Sequence, residues 1–265
     1  LSPDELGSVV DAYKAGMPTT GIARSFGVSG TQVINVLKRS GVPLRNASEA
    51  KRRHSWDAAA FDTVTPASAY WIGFLMADGC VRDRCVDLAL KDNDRDHVER
   101  FKAFLGASHP VRTRLQPKSR GRSHELYASR ITVTCPRLVA ALARHGVVPR
   151  KSLTARTSDE MTGNRDFWRG VIDGDGCWYW RATKSGIKPA FILAGSEALL
   201  GQFAAFVERY LPSAPVHVFP QRLSRAWKAT MNGRYACALA RLLYAPGDVA
   251  LPRKYAVARA MSHLA

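Results

Sequence analysis

One twelve-residue pattern occurs twice in this chain. "YWIGFLMADGCV" covers residues 70–81 and "FWRGVIDGDGCW" covers 167–178. Trp71 matches Trp168, Gly73 matches Gly170, Asp78 matches Asp175, Gly79 matches Gly176 and Cys80 matches Cys177, each pair at an offset of 97. A second echo, "VPRK" at 148–151 and "LPRK" at 251–254, follows at an offset of 103. Self-similarity at a long period fixes the architecture before any single residue does. Two copies of one unit each expose an apolar face, and each copy is the natural cover for the other.

Hydrophobic periodicity gives both copies the same order of elements. In the first, the motif helix precedes a short strand near Cys80–Arg82, a strand Val86–Lys91 and a helix His97–Leu105. Strands Val111–Gln116 and Tyr127–Thr134 and a helix Pro136–His145 complete it. In the second, strands Cys177–Arg181 and Ala190–Ala194 precede a helix Ser196–Leu211. Strands Val216–Gln221 and Trp227–Asn232, a helix Arg234–Tyr244 and a closing helix Lys254–Met261 follow. This predicts an α+β fold, a pseudo-twofold tandem repeat of two αββαββα units with antiparallel sheets, its halves spanning 67–152 and 153–265.

The motif helices hold small residues four apart, Gly73 with Ala77 and Gly170 with Gly174, so each presents a smooth stripe on one face. Glycine inside a helix costs up to ~1 kcal/mol against alanine, and close helix–helix approach is a reason to keep it. Packing along those stripes brings Asp78 and Asp175 together at two helix C-termini. Both the helix dipole and the second carboxylate oppose a negative charge there. Divalent cations remove that conflict. Carboxylates, the carbonyls of Ala77 and Gly174, and water are hard oxygen donors that suit Mg²⁺.

With these residues in view, the two segments resemble the paired motifs of the LAGLIDADG homing endonucleases in their two-motif, single-chain form. "WIGFLMADG" keeps the glycine at its third position and Ala-Asp-Gly at its end. "WRGVIDGDG" keeps Gly, Ile-Asp and Gly-Asp-Gly. The first departs from the pattern at its sixth position, where Met76 stands in place of the aspartate that the second keeps as Asp173. The resemblance implies that Asp78 and Asp175 bind divalent ions at two scissile phosphates. Mg²⁺ is expected, with Mn²⁺ or Ca²⁺ able to replace it in binding. It further implies double-strand cleavage across the minor groove with short 3′ overhangs, and two sheets forming a saddle in the major groove of a long asymmetric site. Some members carry a lysine late in each half, and Lys151 and Lys254 stand at that place. These lysines either act on the nucleophilic water and phosphorane charge or are phosphate contacts or surface lysines at helix starts. Asp173 is expected to serve the helix end or to support the ligands from behind them, and not to ligate.

The charge fits a polyanion. Lys and Arg number 39 against 22 Asp and Glu, a net charge of +17, and cationic groups on DNA release counterions from its phosphates. Strand alternation puts Arg112, Arg114 and Gln116 on one face and Arg130 and Thr132 on the matching face of the next strand. In the second half the polar set is His217, Lys228, Thr230 and Asn232, with Gln221 and Arg222 beyond. These are the expected contacts to double-stranded DNA.

Residues 1–45 read as three short helices. "TTGIARSFGVSGTQVINVLKRSGV" is similar to the helix-turn-helix of resolvases and invertases. That likeness implies a small all-α DNA-binding domain, with Thr31, Gln32, Asn35 and Arg39 as base readers on the second helix. Residues 46–66 read as a basic linker, either a solvated tether or an arm whose Arg52 and Arg53 follow the DNA backbone or minor groove. Five cysteines with no CxxC pair are expected to be small buried residues in a reducing compartment. No apolar run approaches the ~18 residues of a membrane span, and no signal peptide is read. A cytoplasmic, nucleoid-associated protein of bacterial or phage origin follows, a monomer with an internal pseudo-dimer. The alternative weighed is a non-cleaving transcriptional regulator of the same fold. Retention of both acids argues against it.

Overall fold

Helix starts are written locally in this chain. In α1 (Pro3–Lys14), Ser2 caps the first turn and Glu5 returns a bond to the Ser2 amide at 2.7 Å. Ser29 and Gln32 make the same reciprocal box at the start of α3 (Gly30–Arg39). Between them lies α2 (Thr19–Ser25), and Val9, Tyr13, Ile22, Ala23, Val33 and Leu37 form the buried centre of the three helices. Arg45 stacks on the Tyr13 ring at 4.1 Å and donates to the carbonyls of Tyr13, Gly16 and Met17. These elements belong to the first of two compact units, Leu1–His54; the second is Ser55–Ala265. The computed structural model describes residues 1–45, 54–116, 126–222 and 224–264, so Arg52 and Arg53 lie outside the described residues.

The second unit begins earlier than the expected linker ends. Phe61 is fully buried, the Asp57 amide donates to Leu105 O at 2.7 Å, and the Ser108 amide donates to Ser55 O at 2.9 Å. These contacts join residues some fifty apart in the chain, so no local periodicity announces them.

Two halves of matching design follow. The first contains α4 (Pro66–Ala77), β1 (Gly79–Arg82), β2 (Cys85–Lys91), α5 (Arg95–Phe104), β3 (Arg112–Gln116), β4 (Leu126–Thr134) and α6 (Pro136–Ala143). After a short α7 (Asp159–Thr162), the second contains α8 (Arg165–Asp175), β5 (Gly176–Thr183), β6 (Gly186–Gly195), α9 (Glu197–Tyr210), β7 (His217–Pro220), β8 (Trp227–Asn232), α10 (Arg234–Leu243) and α11 (Pro252–Ser262). The sheets run β1-β2-β4-β3 and β5-β6-β8-β7, antiparallel throughout. The expected αββαββα order is present twice. Among the described residues no helix is long and apolar enough to cross a membrane.

The halves meet along α4 and α8. A β-carbon on Gly73 would lie 2.0 Å from the Phe167 carbonyl oxygen, and one on Gly170 would lie 2.0 Å from that of Tyr70. Each glycine therefore faces the carbonyl three residues before the other glycine, which is the signature of a twofold. Further along, a β-carbon on Gly174 would fall 2.3 Å from that of Ala77, its own repeat partner, and equivalent residues touch only on the axis. The large side chains on these helices are packed: Tyr70, Trp71, Phe74, Phe167 and Trp168 are all but fully buried.

Gly73→Ala or Gly170→Ala forces the two backbones apart, and we predict a loss of about 1–3 kcal/mol or more. Gly201, exposed in α9 with open space where its β-carbon would be, is the control, and Gly201→Ala should gain about 0.5–1 kcal/mol from helix propensity alone. Denaturant unfolding of the three variants measures both signs.

Candidate nuclease site

Asp78 caps the end of α4 and Asp175 is the last residue of α8. The helix crossing brings them together: the β-carbon position of Gly174 lies 3.5 Å from the Asp78 amide nitrogen. Both residues are solvent-exposed, yet surrounding protein displaces enough water to raise both carboxyls above their usual range. Asp175 reaches about 6, with Asp78 as the second cause. For Asp78, Lys254, Arg253 and Lys151 partly oppose the rise. The charge of Asp78 hinders the ionisation of Asp175, and that of Asp94 hinders Asp78.

Both echoed lysines reach this place. Lys151 is 6% exposed and donates to Gly79 O at 2.6 Å; Lys254 is 8% exposed and donates to Gly174 O at 2.6 Å and Ile172 O at 3.1 Å. They are not surface lysines at helix starts. Each ammonium sits at the negative end of its own half's motif helix, where a cation is favoured. Burial lowers the pKa of both, and the attraction of Asp78 and Asp175 opposes that. One expectation changes. The Gly174 carbonyl, expected to face a metal ion, is held by the Lys254 ammonium, and a cation at that distance repels a second one. Ala77 stands at the helix crossing.

Asp173 is fully buried and faces away from solvent. It accepts from Tyr244 Oη at 2.7 Å, Tyr70 Oη at 2.8 Å and the Leu251 amide at 2.7 Å. Despite these bonds, burial raises its pKa to about 6. The Leu251 bond anchors the segment entering α11, and so helps to set Lys254. Because Tyr70 donates to Asp173, its oxygen accepts from His97 Nε2 at 2.9 Å. His97 is therefore neutral, with Nδ1 a buried lone pair that has no partner among the described residues. Burial, with Arg100 and Arg253 adding repulsion, pushes its pKa down to about 3. Tyr70, His97 and Tyr244 were not singled out from sequence, where a lone aromatic or histidine carries no site signal. Met76, the repeat partner of Asp173, is buried apolar core in the first half.

Strand register sorts the expected DNA contacts. Arg112, Arg114, Gln116, Arg130 and Thr132 share one sheet face with Cys80, Arg82, Asp87 and Lys91. In the other sheet, Lys228, Thr230, Asn232 and His217 share a face with Cys177, Tyr179 and Ile192. Gln221 and Arg222 lie in the β7–β8 connection. Leu115, on the opposite face of β3, is 46% exposed. Cys80 and Cys177 depart from the buried-cysteine expectation: both are exposed on the sheet faces, while Cys135 and Cys237 are buried and all five are free. On α3, Thr31, Asn35 and Arg39 are exposed, but the Gln32 side-chain oxygen is spent on the Ser29 amide.

No protein-family model and no curated protein matches the sequence. Among solved structures, the homing endonuclease I-WcaI bound to its DNA recognition sequence is 9% identical. The match covers 82% of this chain and 97% of that one, with a TM-score of 0.56. The I-SmaMI LAGLIDADG homing endonuclease bound to cleaved DNA is 11% identical, covering 76% of this chain and 88% of that one, with a TM-score of 0.47.

Linkage at His97 gives a prediction. The unfolded chain takes up this proton near the ordinary histidine pKa of ~6.5, while the fold refuses it until about pH 3. Stability from His97 is thus intact above 6.5 and drains as pH falls toward 3. Asp173 and Asp175, raised to about 6, act in the opposite sense, stabilising the fold more as pH falls from 6 toward 4. His97→Phe should make Tm fall less, or rise more, than in the wild type as pH goes from 6.5 to 4, and an unchanged slope would contradict the assignment. The LAGLIDADG homing endonuclease fold is therefore the fold of this chain, with its two halves joined through the α4–α8 helix pair.

Proposed function

We propose that the chain is a site-specific homing endonuclease that makes metal-dependent double-strand breaks in a long asymmetric DNA site and leaves short 3′ overhangs. The observation that carries this is the pairing of Asp78 and Asp175 at two abutting helix ends, each end flanked by a buried lysine.

The donor set fits a hard divalent cation. Among the described residues no cluster of three or more His, Cys, Asp or Glu exists, so soft or nitrogen-rich coordination is not offered. Mg²⁺ commonly takes one or two protein carboxylates and fills its shell with water and phosphate oxygens. Asp78 and Asp175 would hold it, and Mn²⁺ or Ca²⁺ would fit the same oxygens. When bound, such an ion supplies an acidified water and offsets charge on the phosphate.

The protein's own residues do the rest. The glycine contact fixes the spacing of the two acids. Lys151 and Lys254 hold positive charge beside them, directed at phosphates as negative charge builds. Arg112, Arg114 and Arg130, with Lys228 and His217 in the other half, bind the duplex on the polar faces of the two sheets. Thr31, Asn35 and Arg39 on α3 read further bases as a helix-turn-helix. The partner is double-stranded DNA, and one chain with its internal pseudo-dimer suffices for two strands.

The test is incubation of the full chain with DNA of its native locus, in Mg²⁺ or EDTA. Metal-dependent cuts on both strands are expected. Asp78→Asn and Asp175→Asn should each lower cleavage by about a hundredfold or more while sparing DNA binding. Binding without cutting in Mg²⁺ would favour a regulator instead. At subsaturating Mg²⁺, cleavage should fall as pH drops through about 6, because a protonated Asp175 is no ligand; a flat rate from pH 7.5 to 5.5 would count against it.

A further inference from the structure

The strand face of the first half contains one acid among its bases. Asp87, in β2, is 2% exposed. Its neighbours across the sheet are Cys80 in β1 and Thr132 in β4. Oδ1 pairs with Arg130 Nε at 3.1 Å and accepts from Thr132 Oγ1 at 3.2 Å, while Oδ2 pairs with Arg82 at 3.5 Å. A buried carboxylate is tolerated only when paired. Here its two cationic partners stay largely in solvent, with side chains 63% (Arg82) and 49% (Arg130) exposed. As ion pairs for stability these are weak. As a means of aiming guanidinium groups they are well built. Arg130 pairs through Nε, which leaves its two terminal nitrogens for guanine O6 and N7, the bidentate contact an arginine makes.

The second half lacks this device at the same position. By repeat offset and register, Cys177 matches Cys80, Thr230 matches Thr132, Ala194 matches Ala89 and Lys228 matches Arg130. At the place of Asp87 stands Ile192, and at that of Arg82 stands Tyr179. Lys228 is a point charge on a flexible stem, and among the described residues no carboxylate pairs with it to fix its direction.

We propose that Asp87 is a positioning residue for sequence recognition: it orients Arg130, with Arg82, to read guanine in the base pairs nearest the cut on the first half's side only. This rests on the nuclease reading above. Cys80 lies two residues past Asp78, about 7 Å of extended chain, which is roughly two base-pair steps of duplex.

The experiment selects duplexes from a DNA library randomised across the cut and its flanks, using wild type, Asp87→Leu and Arg130→Ala in full-length protein, scored by binding in Ca²⁺ and by cleavage in Mg²⁺. Wild type should enrich guanine at one position beside the cut in one half-site. Both variants should lose that preference by about ten- to hundredfold, with preferences in the other half-site unchanged. Binding by the variants reports that they are folded, and Arg130→Ala leaves Asp87 its Arg82 and Thr132 partners. Selected sites without a guanine there, or with a guanine preference that both variants keep, overturn this proposal and leave the nuclease reading standing. A library that wild type neither binds nor cuts selectively overturns both.

Discussion

Gly73 and Gly170 bear no β-carbon, and each lies where one would collide with a carbonyl of the opposite helix. The backbones of α4 and α8 therefore touch directly, closer than side chains normally allow. That contact sets the twofold, and the twofold sets the rest. It puts Ala77 against Gly174 on the axis, brings Asp78 beside Asp175, and starts β1 and β5 from one point. The apolar cost of so tight a seam is met by Trp71, Phe74, Phe167 and Trp168, which bury large areas on either side.

Acids at two helix C-termini are electrostatically misplaced, and the protein answers from a distance. Lys151 and Lys254 come from the ends of the two halves and cap the carbonyls that the acids cannot. The arrangement is not symmetric in detail. Lys151 holds Gly79 O, whereas Lys254 holds Gly174 O and Ile172 O. Asp173 ties Tyr70 of one half to Tyr244 and Leu251 of the other, while its repeat partner Met76 only packs. On the strand faces, Asp87 is matched by Ile192. A fused pair of halves can diverge in this way, since a substitution in one copy is not imposed on the other.

Much of this was legible in the residues themselves. The offset of 97 exposed the duplication, the small residues four apart located the seam, and the matched Asp-Gly pairs marked the candidate site. Alternation along β4 and β8 sorted polar from core faces, whereas on β3 the apolar Leu115 is left exposed. Gln32 was less legible, because capping and base reading both favour a polar residue in a first turn, and only its bond to Ser29 separates them. Cys80 and Cys177 follow the same logic: nothing in a cysteine's spacing says which side of a strand it faces until the strand's register is known.

What the chain determines by itself is short-range and repetitive: which segments coil or extend, where helices start, and that one unit occurs twice. Backbone geometry repeats every few residues, so its demands are written every few residues. What only the tertiary structure decided joins distant positions: Phe61 under α5, Asp173 beneath two tyrosines, Lys254 on Gly174, and Asp87 between Arg82 and Arg130. Those pairings depend on how packed elements slide and turn against one another. A buried charge must find its partner wherever that packing delivers one, and no local pattern records the address.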